Sequence, residues 1–305
     1  MKISTLTLNP AVDLVIGLDE LKPVIVNRTN TEDYQANGKA INISFILKKL
    51  GIDNKAMGYL GGFTGEYIKK VIEDAGIGAD FIKIEGTTRI NVFINVGEEY
   101  RIVNKGPLIK EENIIEILRK IEDLEEESYL FVSGSLPRGI EEEIFLNISE
   151  ICERKKINLI FDISSKKLLD CLVYRPYLVK PNEEELAEFF EIGHELNEEE
   201  IINYSKRLLE MGARKIIVSR GDKGSIYSDK ERTLKVTALK GKIVNTACAG
   251  DTLVGSFVGR LILGDMLEEA LKYASVAASL TAFTEGLADL EKVKDYISEV
   301  EIINL

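Results

Sequence analysis

A Gly-Asp pair, Gly250-Asp251, lies within Asn245-Thr246-Ala247-Cys248-Ala249-Gly250-Asp251-Thr252, where an extended-looking run meets an amphipathic one. Lys242-Ile243-Val244 reads as extended. Leu253, Val254, Phe257, Val258, Leu261 and Ile262 then recur at the spacing of one helix face, so the pair falls at a helix N-terminus. The backbone N–H groups of Ala249, Gly250 and Asp251 have no intrahelical acceptors there, and the helix dipole adds partial positive charge. That setting can hold a phosphoryl group. A carboxylate beside it is either a helix cap or a base for a hydroxyl attacking phosphorus. The same dipole would lower the thiol pKa of Cys248 and make it reactive, with plain packing as the simpler role.

Two upstream segments bear on the same chemistry. In Val218-Ser219-Arg220-Gly221-Asp222-Lys223-Gly224 a strand end runs into a glycine turn, which brings backbone close to a nucleotide or makes a hairpin. In Lys180-Pro181-Asn182-Glu183-Glu184-Glu185, Asn182 and Glu185 have the spacing of a capping box, and both could also order water around Mg2+. His194 is the only histidine, which leaves histidine-based nucleophilic catalysis without support.

Alternating elements must position these residues. Strands are predicted near 2–8, 54–60, 129–133, 157–163, 177–180 and 214–219, separated by helices near 39–50, 64–76, 110–122, 141–155 and 182–190. That order specifies an α/β fold with a mainly parallel sheet between helical layers. The segments 12–16, 24–36, 89–96 and 99–104 alternate apolar and polar residues, as a sheet wet on one face does, and are assigned to a lid. The expected division is an α/β domain of 1–10, 37–88 and 106–305, with 11–36 and 89–105 as the β lid.

The chain has 305 residues, 45% of them apolar, and a net charge of −12. Such a charge repels nucleic acid and anionic membranes, so a phosphorylated ligand needs a local cationic pocket. Arg28, Lys39, Arg89 and Lys105 are the candidates near the lid. No basic segment leads into an apolar signal, and no apolar run approaches the ~20 residues of a membrane span. Cys152, Cys171 and Cys248 lack metal-ligand spacing. A cytoplasmic protein is expected.

Taken together, the three motifs resemble those of the ribokinase-like (PfkB-type) sugar kinases over essentially the whole chain. Thr7-Leu8-Asn9-Pro10-Ala11-Val12-Asp13, Gly38-Lys39-Ala40-Ile41-Asn42, Gly58 to Glu66, Thr88-Arg89-Ile90-Asn91 and Ser133-Gly134-Ser135-Leu136-Pro137 look like the 1-phosphofructokinase and tagatose-6-phosphate kinase branch. The resemblance implies a ribokinase-like three-layer α/β/α domain with a small β-sheet lid, ATP and Mg2+ as cofactors, and pairing of two subunits through the lid. It also implies roles. Asp13, Gly38, Lys39, Asn42, Arg89 and Ser135 would bind the sugar phosphate, with Asp13 and Asn42 on its hydroxyls. Lys180, Asn182, Ser219, Gly221 and Gly224 would bind ATP, with Asn182 and Glu185 holding the metal through water. Asp251 would be the base, with Ala249, Gly250 and Cys248 beside it shaping the anion hole. The implied reaction converts fructose 1-phosphate to fructose 1,6-bisphosphate, with a tagatose-6-phosphate kinase or a catalytically impaired sugar-phosphate binder as alternatives. Cys248 stands where the family has glycine, and Asn37 and Ala40 replace the outer glycines of the early loop. A cysteine forced to positive φ would cost on the order of 1 kcal/mol and tilt the anion hole.

Overall fold

The computed structural model describes residues 2–305 and contains two sheets. From one edge, the ten-stranded sheet runs Ile302–Asn304, Thr233–Val236, Ser225–Ser228, Ile216–Ser219, Leu178–Val179, Asn158–Asp162, Tyr129–Ser133, Ile3–Thr7, Lys55–Leu60 and Gly78–Lys83. The first three pairings are antiparallel; the remaining six are parallel. Central strands such as Leu159-Ile160-Phe161 are apolar throughout because helices cover both faces. One core cluster centres on Leu130, Val132, Phe145 and Phe161 and another on Phe131, Ile160, Phe257 and Ala274, which makes three layers.

The four-stranded sheet runs Thr31–Asn37, Ala11–Gly17, Arg89–Val96 and Glu98–Ile102. Its register sets Ala11 between Asn37 and Arg89, and Asp13 between Gln35 and Asn91. The extended reading of 24–36 fails over its first half, because the strand begins only at Thr31. Asn27 ties off a turn instead: its side chain accepts from the Lys22 amide and donates to the Lys22 carbonyl, and Val24 sits at φ 68°.

The parallel strands deliver their C-terminal ends to one edge of the sheet. Thr7, Ser133, Asp162, Val179 and Ser219 end five of them, and in open α/β sheets ligands bind beyond such ends. No helix among the described residues is long and apolar enough to cross a membrane.

Candidate active site

Helix Ala249–Ile262 carries the Gly250-Asp251 pair in its first turn. Cys248 is its N-cap at φ 66°, a left-handed conformation, and its carbonyl accepts from the Thr252 amide at 2.8 Å. The Ala249 amide turns back to the Thr246 carbonyl at 3.4 Å, whereas those of Gly250 and Asp251 have no acceptor among the described residues. Of the three amides expected to face an anion, two are thus free. Lys180 reinforces them: a Cβ built on Gly250 would lie 3.5 Å from its Nζ, so a buried ammonium stands over the helix start.

Helix Lys39–Lys49 packs beside it and brings Asn42 against the Asp251 carboxylate. Its entry needs Gly38, at φ 157°, because a Cβ there would lie 2.6 Å from Thr7 Cγ2. Asn42 Nδ2 donates to Asp251 Oδ2 at 2.8 Å and lies 2.9 Å from Asn37 Oδ1 and 3.1 Å from Cys248 Sγ. Asp251 makes no capping bond to its own helix, so the cap reading does not apply.

Asp162, which the motifs did not single out, organises the charges. Its carboxylate is 1% exposed, 2.9 Å from Lys180 Nζ and 3.5 Å from Lys39 Nζ. Both contacts are within ion-pair range, and the two oxygens are otherwise buried. A lone carboxylate ending an otherwise apolar strand was the signal available in the sequence, since such a group is seldom fully buried unless paired. Burial favours the protonated acid, but the two ammonium groups outweigh it and hold Asp162 below the usual carboxylate range.

The same field acts oppositely on Asp251. Complete burial, then repulsion from Asp162, raises its carboxyl to about 7, against the Asn42 bond and the attraction of Lys39 and Lys180. Burial disfavours the Lys39 charge, but Asp162, Asp251 and Glu185 more than offset it and raise its pKa. Lys39 therefore stays an ammonium beside a carboxylate that titrates near neutrality, an arrangement suited to proton abstraction next to a transferring anion.

Two cavities lie on either side of Asn37-Gly38. One, of about 430 Å³, is lined by Gly38, Lys39, Arg89, Ser135 and Ser164. Arg89 is held there by bonds to the carbonyls of Asn9 at 2.8 Å and Asn104 at 3.0 Å, leaving its buried Nε without a partner. Ser135 accepts only a long bond, 3.4 Å, from Asn9. The other, of about 770 Å³, lies between the small sheet and the body and includes Asp13, Asn37, Asn42 and Cys248.

Asn182 and Glu185 form the capping box: Asn182 Oδ1 accepts from the Glu185 amide at 2.7 Å and Glu185 Oε2 from the Asn182 amide at 2.9 Å. Glu185 Oε1 also accepts from Ser164 Oγ. Each oxygen keeps a second lone pair. Next to them, the Ser219 amide bonds the Pro181 carbonyl, while Arg220 anchors the turn on Glu183 and Glu198. The turn is the hairpin of the simpler reading. Gly224, at φ 86°, is required because a Cβ would lie 2.0 Å from the Val236 carbonyl oxygen, and Gly221 is exposed at φ 58°.

One expectation is overturned. Burial, followed by the charges of Asp251 and Asp13, pushes the Cys248 thiol up to about 12, so the helix dipole does not produce a thiolate. Cys248→Gly is expected to leave kcat unchanged or higher and to keep the melting temperature within a few degrees. Relief of a left-handed residue, about 1–2 kcal/mol, is partly offset by glycine's chain entropy. In the wild type, thiol alkylation at neutral pH should be slow although Cys248 is only half-buried, and rapid inactivation by iodoacetamide would contradict the protonated thiol.

Comparison with known sequences and folds settles the class. The pattern of the pfkB family carbohydrate kinases matches residues 6–293. The chain belongs to that family. This carbohydrate kinase is 53% identical over 303 residues to the D-tagatose-1-phosphate kinase of Bacillus licheniformis, covering 99% of the chain and all of that relative. It is 34% identical over 304 residues to the 1-phosphofructokinase of Bacillus subtilis, with 99% and 100% covered. Its fold superposes on a putative phosphofructokinase from Staphylococcus aureus with a TM-score of 0.89, at 33% identity and 99% coverage of both chains.

Proposed function

We propose that this kinase transfers the γ-phosphoryl group of ATP to the 6-hydroxyl of a ketohexose 1-phosphate, with D-tagatose 1-phosphate its foremost substrate and fructose 1-phosphate the epimer to compare. The carrying observation is the buried Asp251 carboxyl, raised to about 7 beside two free helix amides and two ammonium groups. Asp251 takes the proton of the attacking hydroxyl, and the amides of Gly250 and Asp251 with Lys180 receive the transferring phosphoryl group. Lys39 lines the cavity of Arg89 and Ser135 and also lies within the field of Asp162, Asp251 and Glu185, so it is assigned to phosphate charge between the two substrates. Arg89, with Ser135, is assigned to the sugar's own phosphate and Asp13 to its hydroxyls.

Mg2+ is assigned, through its water shell, to Asn182 and Glu185, whose side-chain oxygens keep lone pairs beyond the capping box, and when bound would neutralise phosphate charge there. The Ser219–Gly224 turn beside Asn182 is assigned to ATP, and the small sheet to a lid that excludes water. Exposed Tyr34, Tyr100 and Ile102 on that sheet support its pairing with a second copy. A monomer in sedimentation equilibrium at micromolar concentration would remove that pairing.

A coupled assay over tagatose 1-phosphate, fructose 1-phosphate, tagatose 6-phosphate and fructose 6-phosphate tests the substrate. The highest kcat/KM should fall on a 1-phosphate ester; preference for a 6-phosphate ester would refute the proposal. Arg89→Ala should raise the KM for the sugar phosphate roughly 10- to 100-fold, the worth of one charged hydrogen bond, without moving that for ATP. A rise in the ATP constant would assign this cavity to the other substrate.

A further inference from the structure

Asn37, a departure from the family's glycine, closes a hydrogen-bonded chain between the small sheet and the reacting carboxylate. Its Nδ2 donates to Asp13 Oδ2, and its Oδ1 accepts from the Gly38 amide at 2.6 Å and from Asn42 Nδ2 at 2.9 Å. Asp13 Oδ1 accepts from Asn91 Nδ2 at 2.8 Å, and Asn42 continues to Asp251. The sequence of contacts is Asn91, Asp13, Asn37, Asn42, Asp251. Asp13 and Asn42 are buried, while Asn37 is partly open to the 770 Å³ cleft.

A side-chain amide bonded at both ends cannot rotate freely. With its donor turned to Asp13 and its acceptor to Asn42 and Gly38, Asn37 fixes the plane of the Asp13 carboxylate and leaves it only some of its lone pairs. It also takes up one direction of the Asn42 amide. A ligand hydroxyl must then meet acceptors in set directions. Two ketohexose phosphates that differ at one carbon point that hydroxyl to opposite faces of the ring, so one epimer leaves buried polar groups unpaired. Glycine at this position would leave Asp13 held at one oxygen by Asn91 and Asn42 held by Asp251, with the second oxygen of Asp13 and one N–H of Asn42 open to a ligand hydroxyl in either direction.

We propose that Asn37 is a specificity-determining residue that, by orienting Asp13 and Asn42, selects between ketohexose phosphates epimeric at a single hydroxyl-bearing carbon. The proposal rests on the ketohexose phosphate reading above. It is distinct from a merely structural role, which would lower turnover of both epimers alike.

The test measures kcat/KM for wild type, Asn37→Gly and Asn37→Ser with the tagatose and fructose esters phosphorylated at C1 and at C6. Dissociation constants without ATP come from calorimetry. Asn37→Gly should move the tagatose-to-fructose ratio by about 10-fold or more, with the KM for ATP and the melting temperature held. Asn37→Ser, too short to span both partners, should move the ratio the same way and carries the result if the glycine variant does not fold. A ratio within about two-fold of wild type in a folded variant overturns the proposal. Wild-type turnover confined to the 6-phosphate esters would defeat only the 1-phosphate reading, since the ratio is then read on that pair. A wild type that binds none of the four would overturn both.

Discussion

Asp251→Asn is expected to lower kcat by roughly 100- to 10,000-fold, the range a positioned general base supplies. The substitution keeps shape and an oxygen able to accept the Asn42 bond, now 2.8 Å long, so the helix start and both ligand sites should persist. The loss should fall on kcat, because proton removal is needed only as the hydroxyl attacks. Stability should move the other way. The folded-state pKa lies above the unfolded one, so wild type loses stability as pH rises from about 4 through about 7, while the amide does not titrate. The variant should therefore resist urea better than wild type at pH 8. Near-normal turnover would remove Asp251 from the reaction.

Lys180→Met should be the most destabilising of the site substitutions. Lys180 and Asp162 are 5% and 1% exposed, and removing one member of a buried pair costs about 3–5 kcal/mol, since the other charge is left uncompensated. The lower end is expected because Lys39 still lies 3.5 Å from Asp162. Adding Asp162→Asn should restore most of the stability, as a neutral amide needs no counter-ion. It should not restore turnover, because the cation over Gly250 is still missing. Urea midpoints of wild type, single and double variants separate these effects. A single variant as stable as wild type would show that the pair contributes little, and an active double variant would show that Lys180 is not needed at the helix start.

Much of the fold was legible because its signals are local. Continuous apolar runs such as Leu130-Phe131-Val132 gave the parallel strands to within two residues, and alternation marked 12–16 and 89–96 as strands of the small sheet. Edge elements were not legible. Gly78–Lys83 opens with glycine and carries Asp80 and Lys83, and Ile302–Asn304 is a short strand whose pairing with Thr233–Val236 joins residues far apart in the chain. At the site, the Gly-Asp helix start and the capping box could be read from spacing. The Asp162 ion pairs could not, because they join residues 39, 162 and 180 only after the strands align. Asn37 read as a missing glycine for the same reason: its partners at 13 and 42 come from a strand and a helix that only the fold brings together.

The pH dependence of kcat/KM reaches the central claim, that a buried carboxyl titrating near neutrality is the base. Log kcat/KM for the preferred ketohexose phosphate should rise with unit slope on the acid side and level off above about 7, and that limb should be absent from the residual activity of Asp251→Asn. A limb centred near the ordinary aspartate value of about 4, or one that survives unchanged in Asp251→Asn, would contradict it.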